Sequence, residues 1–296
     1  MERKRIVIAG GTGFIGSYLK NRFIEEGFSV SIISRKIGDI QWKDSASIIK
    51  ALNGCDVLIN LTGKSVDCRY TYKNKWNILT SRTESTLQLH KLIAKCSLPP
   101  KLWINSSTAT IYRHAEDHAM TEKNGEIGTG FSVHVAESWE NTFFSRKTIN
   151  TKQVALRMAI VLGKGGALKP MLALTKLGFG GKHGNGQQHF SWIHIEDVYQ
   201  QIRFIMLSDN PSAIYNCSSP HPVKNEELMS MLREKTGMKF GLPLSENMLK
   251  FGAVIIQTEA ELLLKSRWVI PENLMNEGYE FKFPNLGNAL DNLLQK

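Results

Sequence analysis

The chain has 296 residues, of which 42% are hydrophobic and 22% charged, a composition that predicts a packed, enzyme-sized body and argues against disorder. The net charge of +10 is dispersed apart from a short run at residues 1–5, so we expect an anionic nucleotide ligand and no nucleic-acid partner. The four cysteines stand singly, the sequence contains no 18-residue apolar stretch, and the short apolar run at 6–9 leads us to expect no signal peptide. These features predict a cytoplasmic protein with no bound metal and no membrane partner.

In the N-terminal half, apolar segments of strand length alternate with segments of helical spacing. The strands are predicted at 5–9, 28–33, 56–61, 102–106 and 154–162, and the helices at 15–26, 46–52 and 75–95. Strands that alternate with helices form parallel β-α-β units. The predicted fold class is therefore α/β, a doubly wound parallel sheet of the Rossmann type with helices on both faces.

The C-terminal half is less regular, with Gly-rich loops after Gly163. Its helices are predicted at three places: near 197–206, from Lys224 onward and over 249–264. We expect a dinucleotide-binding Rossmann core over 1–162, to which 190–217 returns, and a mainly substrate-side region over 163–296. That region is predicted to end in a smaller C-terminal α/β module from about 245.

The first predicted strand leads directly into a glycine-rich loop that opens the first helix. Gly10, Gly13 and Gly16 have the spacing of a dinucleotide-binding loop. The first glycine allows a tight turn, the second lets a pyrophosphate approach the backbone, and the third lets helix and strand pack closely. The helix start also presents free N–H groups and a partial positive charge to an anion. Because strand, loop and helix follow one another in the required order, they predict a dinucleotide site.

The end of the second strand distinguishes NAD from NADP. An acidic residue there would bind the ribose 2′-hydroxyl of NAD, whereas a basic residue accommodates the 2′-phosphate of NADP. The strand ends in Ser34 and Arg35, and no carboxylate occurs before Asp39. A hydroxyl and a planar guanidinium can both donate hydrogen bonds to a phosphate. NADP is therefore the predicted cofactor.

Three segments, at 10–16, 60–63 and 106–112, resemble the successive landmarks of extended short-chain dehydrogenases/reductases. Motifs later in the chain narrow this resemblance: SWE at 138–140, RMAIVLG at 157–163, GGKHGNGQ at 180–187, SWIHIED at 191–197 and GYEF at 278–281. Together they resemble the epimerase-family branch, whose members end in a C-terminal domain of unknown function. The resemblance spans essentially the whole chain and implies a Rossmann fold that binds NADP.

The resemblance also implies which residues contact the cofactor. They are Gly13, Phe14, Ile15 and Gly16 for the pyrophosphate, Ser34 and Arg35 for the adenosine phosphate, Leu61, Thr62 and Gly63 beneath the adenine ribose, and Arg82 from the long helix.

The catalytic residues that the resemblance implies are only partly present. Thr108 matches the expected Ser or Thr. The expected Tyr, followed four residues later by a Lys that activates it, would fall at Ser132 and Ala136, counting back from Trp139. Neither residue can replace a lysine-activated phenol in proton transfer.

Three explanations stay open for the missing pair. His134 could act as the acid or base, because the ordinary pKa of histidine suits proton transfer near neutrality. The proton could instead come from Tyr112, from the substrate or from water. The third explanation is a protein that binds NADP without turnover, as a sensor or scaffold.

Gln187 and Trp192 are the candidates for substrate contacts, because they lie in and after a Gly-rich polar loop that a ligand can approach. A core position for Trp192 and a helix-start position for Asp197 explain those two residues equally well. The predicted function is an NADP(H)-dependent oxidoreductase or epimerase acting on a small polar molecule. In the superfamily that molecule is commonly a nucleotide sugar, and the alternative function is a catalytically silent NADP-binding protein.

Overall fold

The computed structural model describes residues 4–36, 38–255, 259 and 261–295. The elements of the first half are β1 (Arg5–Ala9), α1 (Phe14–Glu25), β2 (Ser29–Ser34), β3 (Ile40–Gln41), α2 (Ser45–Leu52), β4 (Val57–Asn60), α3 (Tyr72–Ile93), β5 (Leu102–Thr108), α4 (Phe131–Phe144) and β6 (Lys152–Met158). These six strands and a later one, Ile214–Cys217, form one seven-stranded sheet in which every neighbouring pair is parallel. The predicted doubly wound α/β fold is confirmed.

Each central strand buries both of its faces, as the apolar runs predicted. In β1, Ile6 and Ile8 pack into one hydrophobic cluster, whereas Val7 and Ala9 pack into another on the opposite face. Successive side chains of a strand point to opposite faces, so two helical layers are needed to cover them. Phe23 of α1 lies in the first cluster, and Leu89, from the long helix α3, lies in the second.

The second half adds short strands and helices around this sheet. They are β7 (Ile160–Gly163), β8 (Gly165–Gly166), α5 (Leu168–Leu174), a π-helical turn (Thr175–Phe179), β9 (His189–Phe190), β10 (Trp192–His194), α6 (Ile195–Leu207), β11 (Ile214–Cys217), β12 (Val223–Lys224), α7 (Asn225–Thr236), α8 (Glu246–Ile255), α9 (Glu261–Leu264), α10 (Glu272–Asn276) and α11 (Leu286–Leu294). A separate hydrophobic cluster, which includes Trp192, Leu228 and Leu290, forms the core of this part.

Two predicted elements differ in extent from the structure. The single strand predicted over 154–162 divides at Ala159, whose N–H bonds to Cys217, while the next N–H bonds to Ser191. The chain therefore leaves the main sheet there, and β7 pairs with β10 in a second sheet. The apolar helix predicted over 249–264 overlaps α8 and α9, and its middle lies outside the described residues.

The order of the strands determines where a ligand can bind. The main sheet runs β11-β6-β5-β4-β1-β2-β3, so the chain passes from β1 to β2 on one side and later to β4 on the other. The loops after β1 and β4 therefore diverge and leave a crevice at the carboxyl ends of these strands, the usual ligand position in such sheets.

Candidate active site

The three glycines of the first loop have different surroundings. Gly10 has φ +79°, and a methyl group on it would lie 2.9 Å from the carbonyl carbon of Leu61. A methyl group on Gly16 would lie 2.5 Å from Cα of Gly11. On Gly13, at the start of α1, it would meet nothing closer than the Gly10 oxygen at 3.8 Å. The first and third glycines thus allow close packing within the protein, whereas the second leaves space at the helix start.

That space belongs to a cavity of about 500 Å³, called here the glycine-loop cavity. Seven of the predicted cofactor residues line it: Gly10, Gly13, Ser34, Arg35, Leu61, Thr62 and Gly63. They come from the loops and strand ends after β1, β2 and β4, which the sheet brings side by side. The volume falls within the range of small-molecule and cofactor sites.

A positively charged side chain, Arg35, lines the glycine-loop cavity at the end of β2. Arg35 is exposed and forms no ion pair with any carboxylate in the described part of the chain. The nearest acidic residue in sequence, Asp39, accepts a hydrogen bond from the backbone N–H of Ile32 at 2.7 Å. The Arg35 guanidinium is therefore available to an anionic group of a ligand.

Phe14, Ile15 and Gly16 shape the loop without lining the cavity. The Phe14 ring packs on the turn between β7 and β8, where a methyl group on Gly163 would lie 2.6 Å from its Cζ. Ile15 packs against the main core. Phe14, Ile15 and Gly16 can therefore contact a pyrophosphate through their backbone N–H groups at the start of α1.

A second cavity, of about 320 Å³, adjoins the first and is called here the β5 cavity. The two cavities share the wall formed by residues 61–64. Ser106, Ser107 and Thr108, at the end of β5, line its floor, so the predicted Thr108 faces this space. Further wall residues come from other segments: Tyr70, Arg82, Phe131, Ser132 and Trp139.

Arg82 extends from α3 into the wall between these cavities. Its Nη1 donates to the carbonyl oxygens of Lys64 at 3.0 Å and Ile78 at 2.9 Å, and its guanidinium lies over the Trp139 ring at 5.2 Å. A methyl group on Gly63 would lie 2.9 Å from Cζ of Arg82, so glycine is needed for this approach. Burial lowers the pKa of Arg82 to about 10, and no carboxylate within the described ranges pairs with it.

A buried charged network lies beneath the β5 cavity. Glu140 of α4 accepts hydrogen bonds from Ser107 Oγ at 2.5 Å and from Arg157 Nε and Nη2 at 2.8 and 2.7 Å. Arg157 also donates to the Tyr112 hydroxyl at 2.8 Å, and that hydroxyl donates to Asn216 at 2.8 Å. This network connects β5, β6, β11 and α4, and fixes the position of Ser107.

Two family models match this chain. A model described as the NAD dependent epimerase/dehydratase family matches residues 6–218, and a domain of unknown function, DUF1731, matches residues 248–293. The chain belongs to the NAD dependent epimerase/dehydratase family. The predicted resemblance to the branch with a C-terminal domain of unknown function is confirmed.

Relatives of this epimerase-family chain match it over nearly its full length. It is 30% identical to the epimerase family protein YfhF of Bacillus subtilis, over 98% of this chain and 97% of that one. The crystal structure of human epimerase family protein SDR39U1 (isoform 2) with NADPH superimposes with a TM-score of 0.89 at 30% identity, covering 98% and 99% of the two chains. A nucleoside-diphosphate sugar epimerase from Corynebacterium glutamicum gives 0.80 at 25% identity, over 99% of this chain and 58% of that one.

The two predicted acid/base candidates of this epimerase-family chain do not line the β5 cavity. Tyr112 is 1% exposed, its hydroxyl belongs to the buried network, and burial raises its pKa. His134 is exposed on α4, and neither side chain lines the cavity. Of the three predicted catalytic residues, only Thr108 faces the β5 cavity.

The predicted substrate residues also lie outside both cavities. Trp192 is fully buried and donates from Nε1 to the His221 oxygen at 3.1 Å. Gln187 hydrogen-bonds through its side chain to Glu226 at 3.0 Å and to Lys224 at 2.6 Å. Neither residue lines the glycine-loop cavity or the β5 cavity.

The 191–197 segment connects the core to the C-terminal part. Glu196 accepts from Tyr18 and Arg22 of α1, at 2.5 and 3.0 Å. Asp197 accepts from the backbone N–H groups of Lys282 at 2.8 Å and Phe283 at 2.9 Å. These acidic residues at the start of α6 join α1 to the segment after α10.

Several cavity residues were not predicted from the sequence. Thr12, Trp42, Ser81, Ser85 and Gln88 line the glycine-loop cavity, and Tyr70, Ser106, Ser107, Ser132 and Trp139 line the β5 cavity. Ser81, Ser85 and Gln88 recur at helical spacing on α3, a polar stripe that could have indicated a ligand face.

Among the residues that the structure describes, no helix is long and apolar enough to cross a membrane, and no three His, Cys, Asp or Glu side chains group around a metal position.

Proposed function

We propose that this chain binds NADP(H) in the glycine-loop cavity and uses it in an oxidoreductase or epimerase reaction on a small polar molecule in the β5 cavity. The observation that carries the proposal is the shared wall at residues 61–64, which places the two cavities side by side. A dinucleotide that occupies the first cavity can then meet a substrate in the second. Membership of the NAD dependent epimerase/dehydratase family supports this type of reaction.

The choice of NADP rests on Arg35 and on a relative. Arg35 offers a guanidinium at the end of β2 that pairs with no carboxylate in the described part of the chain, and Asp39 accepts a hydrogen bond from the Ile32 backbone N–H. A guanidinium attracts a 2′-phosphate, which a carboxylate would repel. The structure of the 30% identical human SDR39U1 was solved with NADPH, which supports the same cofactor for this chain.

Within the β5 cavity, the chain supplies groups that bind and orient a polar substrate. The bound nicotinamide would supply or accept a hydride. Ser106, Ser107 and Thr108 offer hydroxyl groups, and Arg82 offers a positive charge from the adjoining wall. The Glu140 carboxylate, which accepts from Ser107, restricts the orientation of that hydroxyl.

A nucleotide sugar is the substrate class that we propose first. The walls of the β5 cavity combine hydroxyl groups with the aromatic rings of Tyr70, Phe131 and Trp139, a combination suited to a sugar. The name of the Corynebacterium glutamicum relative, a nucleoside-diphosphate sugar epimerase, supports this class.

The screen that tests this substrate class follows NADPH absorbance with sugar nucleotides and simple carbonyl compounds at saturating cofactor. A folded, cofactor-loaded protein that turns over none of them favours the silent NADP-binding alternative, which the replacement of the usual Tyr and Lys by Ser132 and Ala136 motivates.

Arg35→Ala tests the cofactor assignment by calorimetric titration with NADPH and NADH. Hydrogen bonds to charged groups contribute about 1.5–3 kcal/mol, so we expect NADPH affinity to fall by about 10- to 100-fold while NADH affinity changes little. Lys50→Ala, which removes an exposed positive charge on α2 outside the cavity, is the matched control. Equal losses for both dinucleotides would contradict the assignment of Arg35 to the 2′-phosphate.

A further inference from the structure

A tyrosine from another segment lies beside the position at which the usual catalytic tyrosine is missing. Tyr70 precedes α3, and its hydroxyl lies 3.4 Å from Oγ of Ser132, the position at which the usual catalytic tyrosine would fall. Both side chains line the β5 cavity together with Thr108. The phenol that is absent from α4 is therefore present on the facing wall of the same cavity.

Tyr70 is fixed from several directions. Its ring makes an edge-to-face contact with Phe131, with ring centroids 4.9 Å apart. Its backbone N–H donates to Glu259 at 2.7 Å, and the preceding carbonyl, of Arg69, accepts from Asn74 at 2.8 Å. A side chain held in this way can present its hydroxyl to a ligand with little loss of conformational freedom.

A chain of hydrogen-bonding groups leads from Tyr70 towards the surface. Ser132 Oγ, which faces the Tyr70 hydroxyl, donates to Glu261 Oε2 at 3.4 Å. Glu261 is half-buried at the start of α9, so its carboxylate is partly open to water. The three groups form a path along which a proton can pass between the β5 cavity and solvent.

We propose that Tyr70 is the catalytic acid/base of the β5 cavity, with Ser132 and Glu261 as positioning residues that return its proton. This inference rests on the proposed function. In the reducing direction, the carbonyl carbon of the substrate accepts a hydride from NADPH, which forms the new C–H bond and leaves NADP⁺. The carbonyl oxygen takes the electron pair of the broken π bond and the Tyr70 proton. The Tyr70 phenolate then recovers a proton from Ser132, which recovers one from water through Glu261.

The charges around Tyr70 favour a phenol that stays protonated while the cofactor is reduced and ionises more easily once the cofactor is oxidised. Burial raises the pKa of Tyr70, and the nearby Glu261, Cys68 and Glu259 act in the same direction, whereas the Ser132 hydrogen bond opposes them. Arg82 and Arg267 also lie within electrostatic range of the phenol. An oxidised nicotinamide ring carries a positive charge, which would favour the phenolate if Tyr70 faces the ring.

The test measures the titration of Tyr70 in the cofactor-bound protein, so it requires no identified substrate. The protein is labelled with 3-fluorotyrosine, and ¹⁹F NMR spectra are recorded against pH with saturating NADP⁺ or NADPH. Tyr70→Phe identifies the resonance, and Tyr72→Phe, which replaces a tyrosine that is 86% exposed two residues away, is the control. We expect the Tyr70 resonance to titrate at least about one pH unit lower with NADP⁺ than with NADPH.

The possible results separate this inference from the proposed function. A Tyr70 resonance that titrates at the same pH in both complexes would overturn the assignment of Tyr70 while leaving NADP binding intact. Binding of neither dinucleotide, measured by calorimetry on the same samples, would overturn the proposed function and this inference with it. With any substrate found, Tyr70→Phe should lower kcat by about 10²- to 10⁴-fold at unchanged NADPH affinity. Glu261→Gln should shift the pH profile of kcat.

Discussion

The two cavities of this protein are built in different ways. The glycine-loop cavity is formed mainly by short segments at the ends of β1, β2 and β4, with further side chains from Trp42 and one face of α3. The β5 cavity combines a strand end with side chains from the loop before α3, from α3 itself and from α4. The first site is therefore specified mainly by local sequence, whereas the second depends more on how distant segments pack.

The two cavities also differ in what lies beneath them. Glycines at positions 10 and 16 allow close backbone packing under the glycine-loop cavity, so a methyl group added to either glycine should lower the stability of the fold. The floor of the β5 cavity rests on the buried pair of Glu140 and Arg157, so removal of either side chain should lower the stability of the fold. Each difference can be tested by a substitution that affects one cavity and spares the other.

Glu140→Ala should have the largest effect. It leaves the buried Arg157 guanidinium without its carboxylate and Ser107 without its acceptor. Removing one partner of a buried ion pair costs about 3–5 kcal/mol, which should appear as a fall in the free energy of unfolding in urea. Glu137→Ala, on the same helix but outside the network, is the control. A loss below about 1 kcal/mol would show that the pair does not support the floor of the β5 cavity.

Gly16→Ala and Gly13→Ala form a pair with opposite expectations. A methyl group on Gly16 would lie 2.5 Å from the Gly11 backbone, and overpacking of this kind costs about 1–3 kcal/mol of stability. On Gly13 the methyl group would meet only an oxygen at 3.8 Å, so stability should change by less than about 0.5 kcal/mol while NADPH affinity falls. Urea unfolding and calorimetric titration of both variants check this. If Gly13→Ala bound NADPH as tightly as the wild type, the pyrophosphate would have to lie elsewhere.

The contrast between the two cavities also explains which parts of the fold and of the site can be predicted from the sequence alone. The alternation of apolar and helical segments predicts the sheet, because fully buried parallel strands need a continuous apolar run. The contacts of Tyr70 with Ser132 and of Ser132 with Glu261 span 62 and 129 positions of sequence, and no local pattern encodes them. The segment at 191–197 shows the converse: its residues match a motif, but Trp192 and Asp197 bind other parts of the protein and line neither cavity. A motif match indicates the family without indicating which of its residues meet the ligand.

The smallest effect is expected at His194, in that same segment and away from both cavities. His194 is 3% exposed at the start of α6, where Nδ1 accepts from the Glu196 N–H at 3.0 Å, and burial lowers its pKa to about 4. In the unfolded chain a histidine titrates near pH 6.5, so below that pH the unfolded state takes up a proton that the folded state does not. The contribution of this histidine is complete above pH 6.5 and is lost as the pH falls towards 4. Between pH 7 and pH 6 the loss should be about 0.7 kcal/mol.

His194→Asn isolates that contribution, because asparagine can still accept at the helix start and does not titrate. The free energy of unfolding is measured at pH 7 and pH 6 for the wild type, for His194→Asn and for His134→Asn, which replaces an exposed histidine of α4. We expect His194→Asn to lose less stability over this interval than the other two proteins. Equal losses in all three would mean that His194 accepts a proton in the folded state as readily as in the unfolded chain. The 191–197 segment would then be accessible to water, and the joint between α1 and the C-terminal part would be weaker than its hydrogen bonds indicate.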